Sequence, residues 1–243
     1  MKDNFSTHSK EYAQFRPHYP KELFDHLLPF VKNKNTAWDC GTGNGQVAGV
    51  LADYFTEVYA TDISQQQIDV AVQKPNIHYR VEPAEKTSFA ANQFDLITVA
   101  QAIHWFRFDD FYAEVKRTLQ PGGIFAVTGY GLLQTEKPLQ EIIGHFYTKI
   151  IGPYWDAERH YIDEAYQTIP FPFEEIKMPA FQMVYQWSFD QLIGYIGTWS
   201  AVKHYTKQHN QNPVTLIENE VKAAWGNDAV ISFSFPVLLR IGR

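Results

Sequence analysis

Cysteine occurs once in the 243 residues, at Cys40, so no disulfide closes within the chain. A lone cysteine fits a reducing compartment and excludes the cross-linked framework of small secreted domains. Cys40 itself reads as a small buried strand residue rather than a nucleophile. Long apolar runs are also missing, and none approaches the ~20 residues that a membrane-spanning helix needs. The opening Met-Lys-Asp-Asn-Phe-Ser-Thr-His has no continuous apolar segment of the secretory kind. A cytoplasmic protein with no membrane partner is therefore expected. Basic runs are scarce: none exceeds Lys32-Asn-Lys34, and the formal net charge is −6. Nucleic-acid binding usually leaves a basic footprint, so no nucleic-acid partner is expected. The nine histidines show no tight pairing with cysteine or carboxylates, so no metal site is expected either. Repeats, low-complexity segments and linkers are absent, and the 45% hydrophobic content supports a sizeable core.

Glycine is concentrated where it matters. Residues 37–45 read Ala-Trp-Asp-Cys-Gly-Thr-Gly-Asn-Gly, after a short β-type run and before an apolar helical pattern at Val47, Val50, Leu51 and Tyr54. Strand, glycine loop and helix in that order form the ligand-binding corner of open α/β sheets. Gly41, Gly43 and Gly45 allow a sharp turn and a close ligand approach. The dinucleotide fingerprint is G-x-G-x-x-G, with a pyrophosphate resting on the helix N-terminus. Here the third glycine comes one residue early, and Gln46 stands where it belongs. Asp39 also precedes the first glycine by two residues; its charge would repel a pyrophosphate but suits a ligand carrying a positive group. Asp62 ends the second strand candidate, where ribose hydroxyls are held in this topology.

Further along, Asn76–Val81 is a third strand candidate and Gln93–Ala100 a near-continuous apolar run of the buried parallel kind. Phe108–Leu119 reads as a helix with Phe111, Tyr112, Val115 and Leu119 on one face, stopped by Pro121-Gly122-Gly123. Ile124–Thr128 follows as a fifth strand. This alternation predicts a doubly wound α/β sheet. Phe181–Trp187 and Val230–Ile241 behave differently; in the second, Ile231, Phe233 and Phe235 alternate with serines as in a half-buried strand near an edge.

The order Asp39-x-Gly-x-Gly-x-Gly45, Asp62, Pro83-Ala84-Glu85, Gln101 and Leu119-Gln-Pro-Gly-Gly123 resembles the class I S-adenosylmethionine (SAM)-dependent methyltransferases. SAM carries an amino group, a sulfonium and a ribose but no phosphate, which gives the departure from the dinucleotide pattern a chemical reason. The resemblance implies a Rossmann-like, mostly parallel seven-stranded sheet, an antiparallel pair formed by the two C-terminal strands, and a helical cap. It implies one domain over 1–243, with a SAM-binding core at 1–130, cap and substrate elements at about 131–229, and a final strand at 230–243. As implied cofactor contacts, Asp39, Gly41, Gly43 and Gly45 form the loop, Asp62 and Ile63 meet the ribose side, the Ala84 backbone and Glu85 meet adenine, and Gln101 faces the methionine part. Many relatives carry an aspartate where this chain has Pro83.

Tyr12-Ala-Gln-Phe-Arg16-Pro-His-Tyr19-Pro20, Gln101-Ala-Ile-His104-Trp105-Phe106 and Trp199-Ser-Ala-Val-Lys203 further resemble a subgroup that includes trans-aconitate methyltransferases and other small-molecule enzymes. In such relatives the N-terminal segment covers the cofactor, with Tyr12 beside it and Arg16 paired to the SAM carboxylate through its guanidinium fork. An ordinary surface arginine is the competing reading of Arg16. The acceptor is then a small molecule, methylated at a carboxylate or hydroxyl oxygen. His104 lies just past the fourth strand, where a base would reach the methyl; the alternative is a histidine that only orients a substrate oxygen or packs beside Trp105. Aromatic residues beyond the fifth strand suggest a cap over the pocket, with Trp105, Tyr130 and Trp199 as substrate contacts and Arg159, Lys203 and His204 as charges for an anion. Two other classes stay open: a nicotinamide-dependent oxidoreductase, and a SAM-binding protein that has lost catalysis or that methylates a macromolecule.

Overall fold

The computed structural model describes residues 15–243. Five parallel strands form the centre of the sheet: β1 (Thr36–Cys40), β2 (Glu57–Asp62), β3 (Ile77–Val81), β4 (Phe94–Ala100) and β5 (Leu119–Tyr130). They are followed by β6 (Glu175–Ile176), β7 (Gln182–Trp187) and β8 (Ile231–Gly242). The order across the sheet is β3-β2-β1-β4-β5-β8-β6, with β7 attached to β8. Chain order reverses between β1 and β4, and that switch point sits directly above the glycine loop.

The sequence expectation of parallel strands closed by an antiparallel C-terminal pair holds, with a difference in detail. β8 serves two neighbours in succession. Residues 231–236 pair antiparallel with β7, and residues 237–242 pair antiparallel with β5. Pro236 stands at the handover, where a residue without an N–H interrupts no continuous ladder. The two-residue β6 adds a short flank beside Ile241 and Gly242, so the sheet has eight strands rather than seven.

Helices α1 (Lys21–Leu27), α2 (Gln46–Leu51), α3 (Gln65–Asp69) and α4 (Phe108–Thr118) pack around the parallel strands. The period-2 alternation of the strands sends successive side chains to opposite layers. Ala37, Leu96, Ile124 and Ala126 meet Leu23, Phe24 and Leu27 of α1 and Val47, Ala48 and Leu51 of α2 on one face. Trp38, Ile97, Val99, Phe125 and Val127 meet Phe111, Tyr112 and Val115 of α4 on the other. The ends of α4 are chosen for it: Asp109 and Asp110 lie in the first turn and Lys116 and Arg117 in the last, matching the helix dipole.

The third core belongs to the segments between β5 and β8. α5 (Leu139–His145), α6 (His160–Asp163), α7 (Phe189–Gly197), α8 (Ser200–His209) and α9 (Glu218–Trp225) follow in order. All but α6 contribute buried apolar side chains to one cluster with Trp187 of β7 and Phe233 and Phe235 of β8. Ser188 opens α7 with a capping box, its side chain accepting from the Gln191 amide while Gln191 returns to the Ser188 amide at 2.8 Å. Among the described residues no helix is long and apolar enough to cross a membrane.

Candidate active site

The glycine loop leaves β1 with three left-handed glycines, Gly41 (φ 67°), Gly43 (φ 55°) and Gly45 (φ 77°). Two carboxylates tie it down. Asp39 is buried and accepts three bonds: from Thr42 Oγ1 at 2.6 Å, Thr98 Oγ1 at 2.9 Å and the Ala48 amide at 3.1 Å. Asp62, at the end of β2, accepts the Gly43 amide at 2.9 Å through one oxygen and the Ser64 amide at 2.9 Å through the other. Burial raises the Asp39 carboxyl to about 6, against the lowering effect of its hydrogen bonds.

The loop opens on a cleft of about 900 Å³, counting its mouth, at the carboxyl ends of β1, β2, β4 and β5. Of the expected residues, Arg16, Gly41, Gly43, Asp62, Ile63, Gln101, Trp105 and Tyr130 line it. Asp39, Gly45, Ala84 and Glu85 are not among its lining residues. Glu85 is buried and accepts the Arg107 amide at 3.1 Å. Tyr12 lies outside the described residues. Gln101 has a left-handed backbone (φ 55°) and clamps β4 to β5, accepting the Tyr130 amide at 2.9 Å and donating to the Tyr130 carbonyl at 3.3 Å. Arg16 is half-buried; it donates to the Tyr130 hydroxyl at 3.1 Å and to the Thr198 carbonyl at 3.4 Å.

A second, smaller chamber of about 460 Å³, again counting its mouth, adjoins the cleft, and Arg16, Gln101 and Trp105 belong to the walls of both. Its other walls are His104, Trp155, Asp156, Arg159, Ile162, Trp199 and Ser200. The expected substrate contacts are thus divided: Trp105 faces both spaces, Tyr130 the cleft, and Trp199 with His104 the chamber. Arg159 reaches the chamber; Lys203 and His204 do not line it. The Arg159 guanidinium stacks over Trp155 at 4.8 Å and donates from Nε to the Tyr147 hydroxyl at 2.8 Å. Burial, helped by the positive charge of Arg159, pushes the His104 imidazole down to about 3, so it is neutral at ordinary pH.

Ser64 and Gln67 were not anticipated. Both line the cleft, and the Ser64 side chain caps α3 by accepting the Gln67 amide at 3.3 Å. The signal was present as Ser-x-x-Gln just after Asp62-Ile63, the spacing of a helix start. Asp156 and Ser200 carried no such signal, because only the packing of the cap onto the sheet brings them to His104.

The cleft fits SAM and not a pyrophosphate. The Ala48 amide at the start of α2 and the Gly43 amide in the loop, donors a phosphate would require, are taken by Asp39 and Asp62. Gly43 leaves its side-chain volume open, with no atom nearer than Gln67 Oε1 at 4.0 Å, so a ligand can lie against the backbone there. Asp62 lines the cleft at the end of β2, and a carboxylate can accept from more than two donors at once.

A methyltransferase-domain model matches residues 38–127. A Dictyostelium discoideum protein named as a methyltransferase is 34% identical, over 99% of this chain and 95% of its own length. The chain belongs to the class I SAM-dependent methyltransferases. A solved structure from Anaeromyxobacter dehalogenans, named as a type II methyltransferase, matches with a TM-score of 0.86 at 36% identity, covering 94% of this chain and 98% of that one. A Bacillus halodurans structure named as a methyltransferase has a TM-score of 0.54 at 18% identity, covering 92% of this chain and 99% of its own, and so shares the fold. Membership disposes of the nicotinamide-dependent alternative.

Proposed function

We propose that this methyltransferase transfers the methyl group of SAM to an oxygen of a small molecule seated in the chamber beside the glycine-loop cleft. The observation that carries the reading is the shared wall: Arg16, Gln101 and Trp105 border both spaces, so a group in one adjoins a group in the other. The chamber is lined by the rings of Trp105, Trp155 and Trp199 with a few polar groups, His104, Asp156 and Arg159, a composition typical of small-molecule sites that supports a small acceptor over a polymer.

When bound, SAM supplies a methyl made electrophilic by its sulfonium. Gly41, Gly43, Asp62 and Ile63 hold the donor at the loop, with Asp39 acting through the loop's shape rather than by touching it. Arg16 takes the donor's carboxylate at the other end of the cleft. In the chamber, Arg159 holds an anionic acceptor: its stacking on Trp155 and the Tyr147 bond fix the plane of the guanidinium, and its terminal nitrogens make no hydrogen bond among the described residues. An oxygen that arrives ionised needs no base, which agrees with a His104 too weakly basic to deprotonate an alcohol. Trp105, Trp155 and Trp199 exclude water from the transfer.

Two measurements test this reading. Calorimetry should show SAM binding to the purified protein. A methyl-transfer screen against small carboxylic acids and phenols, with products identified by mass, should then yield a methyl ester or ether. SAM binding with methylated protein and no small-molecule product would favour a macromolecular acceptor instead.

A further inference from the structure

His104 is buried just past the carboxyl end of the central strand β4 with one ring nitrogen already engaged: Nδ1 lies 3.2 Å from the Tyr166 hydroxyl. Nε2, on the other side of the ring, makes no hydrogen bond among the described residues, although the ring lines the acceptor chamber. The fold goes to some length to bring Tyr166 there. Ala165 and Tyr166 are consecutive non-glycine residues in the left-handed region, at φ 52° and φ 59°. That conformation is unfavourable for residues with a Cβ and persists only where surroundings enforce it. Arg240 supplies part of the enforcement, donating to the carbonyls of Tyr166 at 3.1 Å and Ile169 at 2.7 Å. Gly129 supplies another part, because a Cβ there would stand 2.7 Å from the Tyr166 ring.

We propose that Tyr166 is a positioning residue for methyl transfer: its hydroxyl donates to Nδ1 of His104, holds the imidazole in the Nε2-protonated tautomer, and makes it a hydrogen-bond donor to the acceptor. The inference rests on the reading of the chamber as the acceptor site. Its chemistry is that of a phenol beside a neutral imidazole. The phenol O–H is the stronger acid and the imidazole nitrogen the stronger acceptor, so the shared proton stays on Tyr166 and the ring's own proton is left on Nε2. The hydrogen bond made by one ring nitrogen thereby selects the state of the other. The charged groups facing the same space are Arg16, Arg159 and Asp156. Burial together with the positive charge of Arg159 keeps the ring neutral, so a fixed tautomer rather than a changing charge is what His104 offers.

The test begins with the apo protein labelled with ¹⁵N, whose histidine tautomers are read from two-bond ¹H–¹⁵N correlations at pH 7. His104 is identified by the signal lost in His104→Gln. The wild type should show the Nε2-protonated pattern, and Tyr166→Phe, which keeps the ring and its packing, should show a mixed or Nδ1-protonated one. With the acceptor found by the acid and phenol screen, Tyr166→Phe should lower kcat about tenfold or more while SAM affinity stays within about twofold. A glutamine amide mimics Nε2–H without a partner at Nδ1. His104→Gln should therefore keep more activity than His104→Ala, and adding Tyr166→Phe to it should cost little more. A merely structural Tyr166 would cost the same in either background. A wild-type His104 protonated at Nδ1, or a Tyr166→Phe tautomer unchanged from wild type, overturns the proposal. Full activity in His104→Ala overturns the chamber reading beneath it, which the tautomer measurement alone would leave standing.

Discussion

Asp62 holds the backbone of Gly43: a carboxylate at the end of β2 accepts the loop amide at 2.9 Å while its second oxygen fixes the Ser64 amide at 2.9 Å. One side chain thus joins the second strand to the glycine loop and to the start of α3. Removing it in Asp62→Ala frees the loop and deletes the proposed ribose contact together. SAM affinity measured by calorimetry should fall by at least about tenfold, the worth of one or two charge-assisted bonds. Unchanged affinity would take Asp62 out of the donor site.

The three loop glycines should not respond alike to alanine. At Gly43 a Cβ meets nothing nearer than 4.0 Å, so Gly43→Ala should fold with a loss of about 1 kcal/mol from its left-handed backbone while its methyl fills the cleft and abolishes SAM binding. At Gly45 a Cβ would stand 2.2 Å from the Tyr79 hydroxyl, whose bond to the Val72 carbonyl holds it in place. Gly45→Ala should therefore lose about 2–3 kcal/mol in urea unfolding. Equal stability of the two variants would contradict the packing described for Tyr79.

Asp39 gives the fold a pH signature. Its carboxyl ionises near 4 in an unfolded chain and near 6 in the folded one. Between those values the folded state holds the extra proton, so the Asp39 contribution to stability is full below about pH 4 and is lost as pH rises through about 6. Relative to Asp39→Asn, the wild type should lose about 2–3 kcal/mol between pH 4 and pH 7. Urea titrations of both proteins at the two pH values provide the difference, in which other groups cancel. A difference independent of pH would mean that Asp39 titrates normally.

If the chamber takes the acceptor, Arg159 should separate the two spaces functionally. Arg159→Met keeps the stem stacked on Trp155 but removes the fork, and the KM for an anionic acceptor should rise about tenfold or more. SAM affinity should hold, since Arg159 is not among the cleft-lining residues. A variant with weakened SAM binding and an unchanged acceptor KM would reverse the assignment of the two spaces.

Much of the donor side could be read from local pattern. Asp39, Gly41, Gly43, Gly45 and Asp62 lie within 24 residues of chain, on two adjacent strands and the loop after the first, and strand–loop–helix geometry follows from spacing that a sequence displays directly. The roles within that loop were less legible: Asp39 looked like a ligand contact, and its three internal hydrogen bonds make it the loop's internal brace instead. Glu85 likewise shows the limit, since nothing near it in sequence points to Arg107 as its partner.

The sequence by itself determined the α/β alternation, the glycine loop and its mismatch with a pyrophosphate, because each depends on neighbours a few residues apart. Tertiary structure alone decided the chamber and the wall it shares with the cleft. His104 and Tyr166 are 62 residues apart, and Arg16 and Tyr130 are 114 apart; no periodicity encodes such meetings. They arise when the segment before α1 and the segments between β5 and β8 fold onto the carboxyl ends of the strands, and that packing, rather than any motif, turns separate polar residues into the walls of the cleft and the chamber.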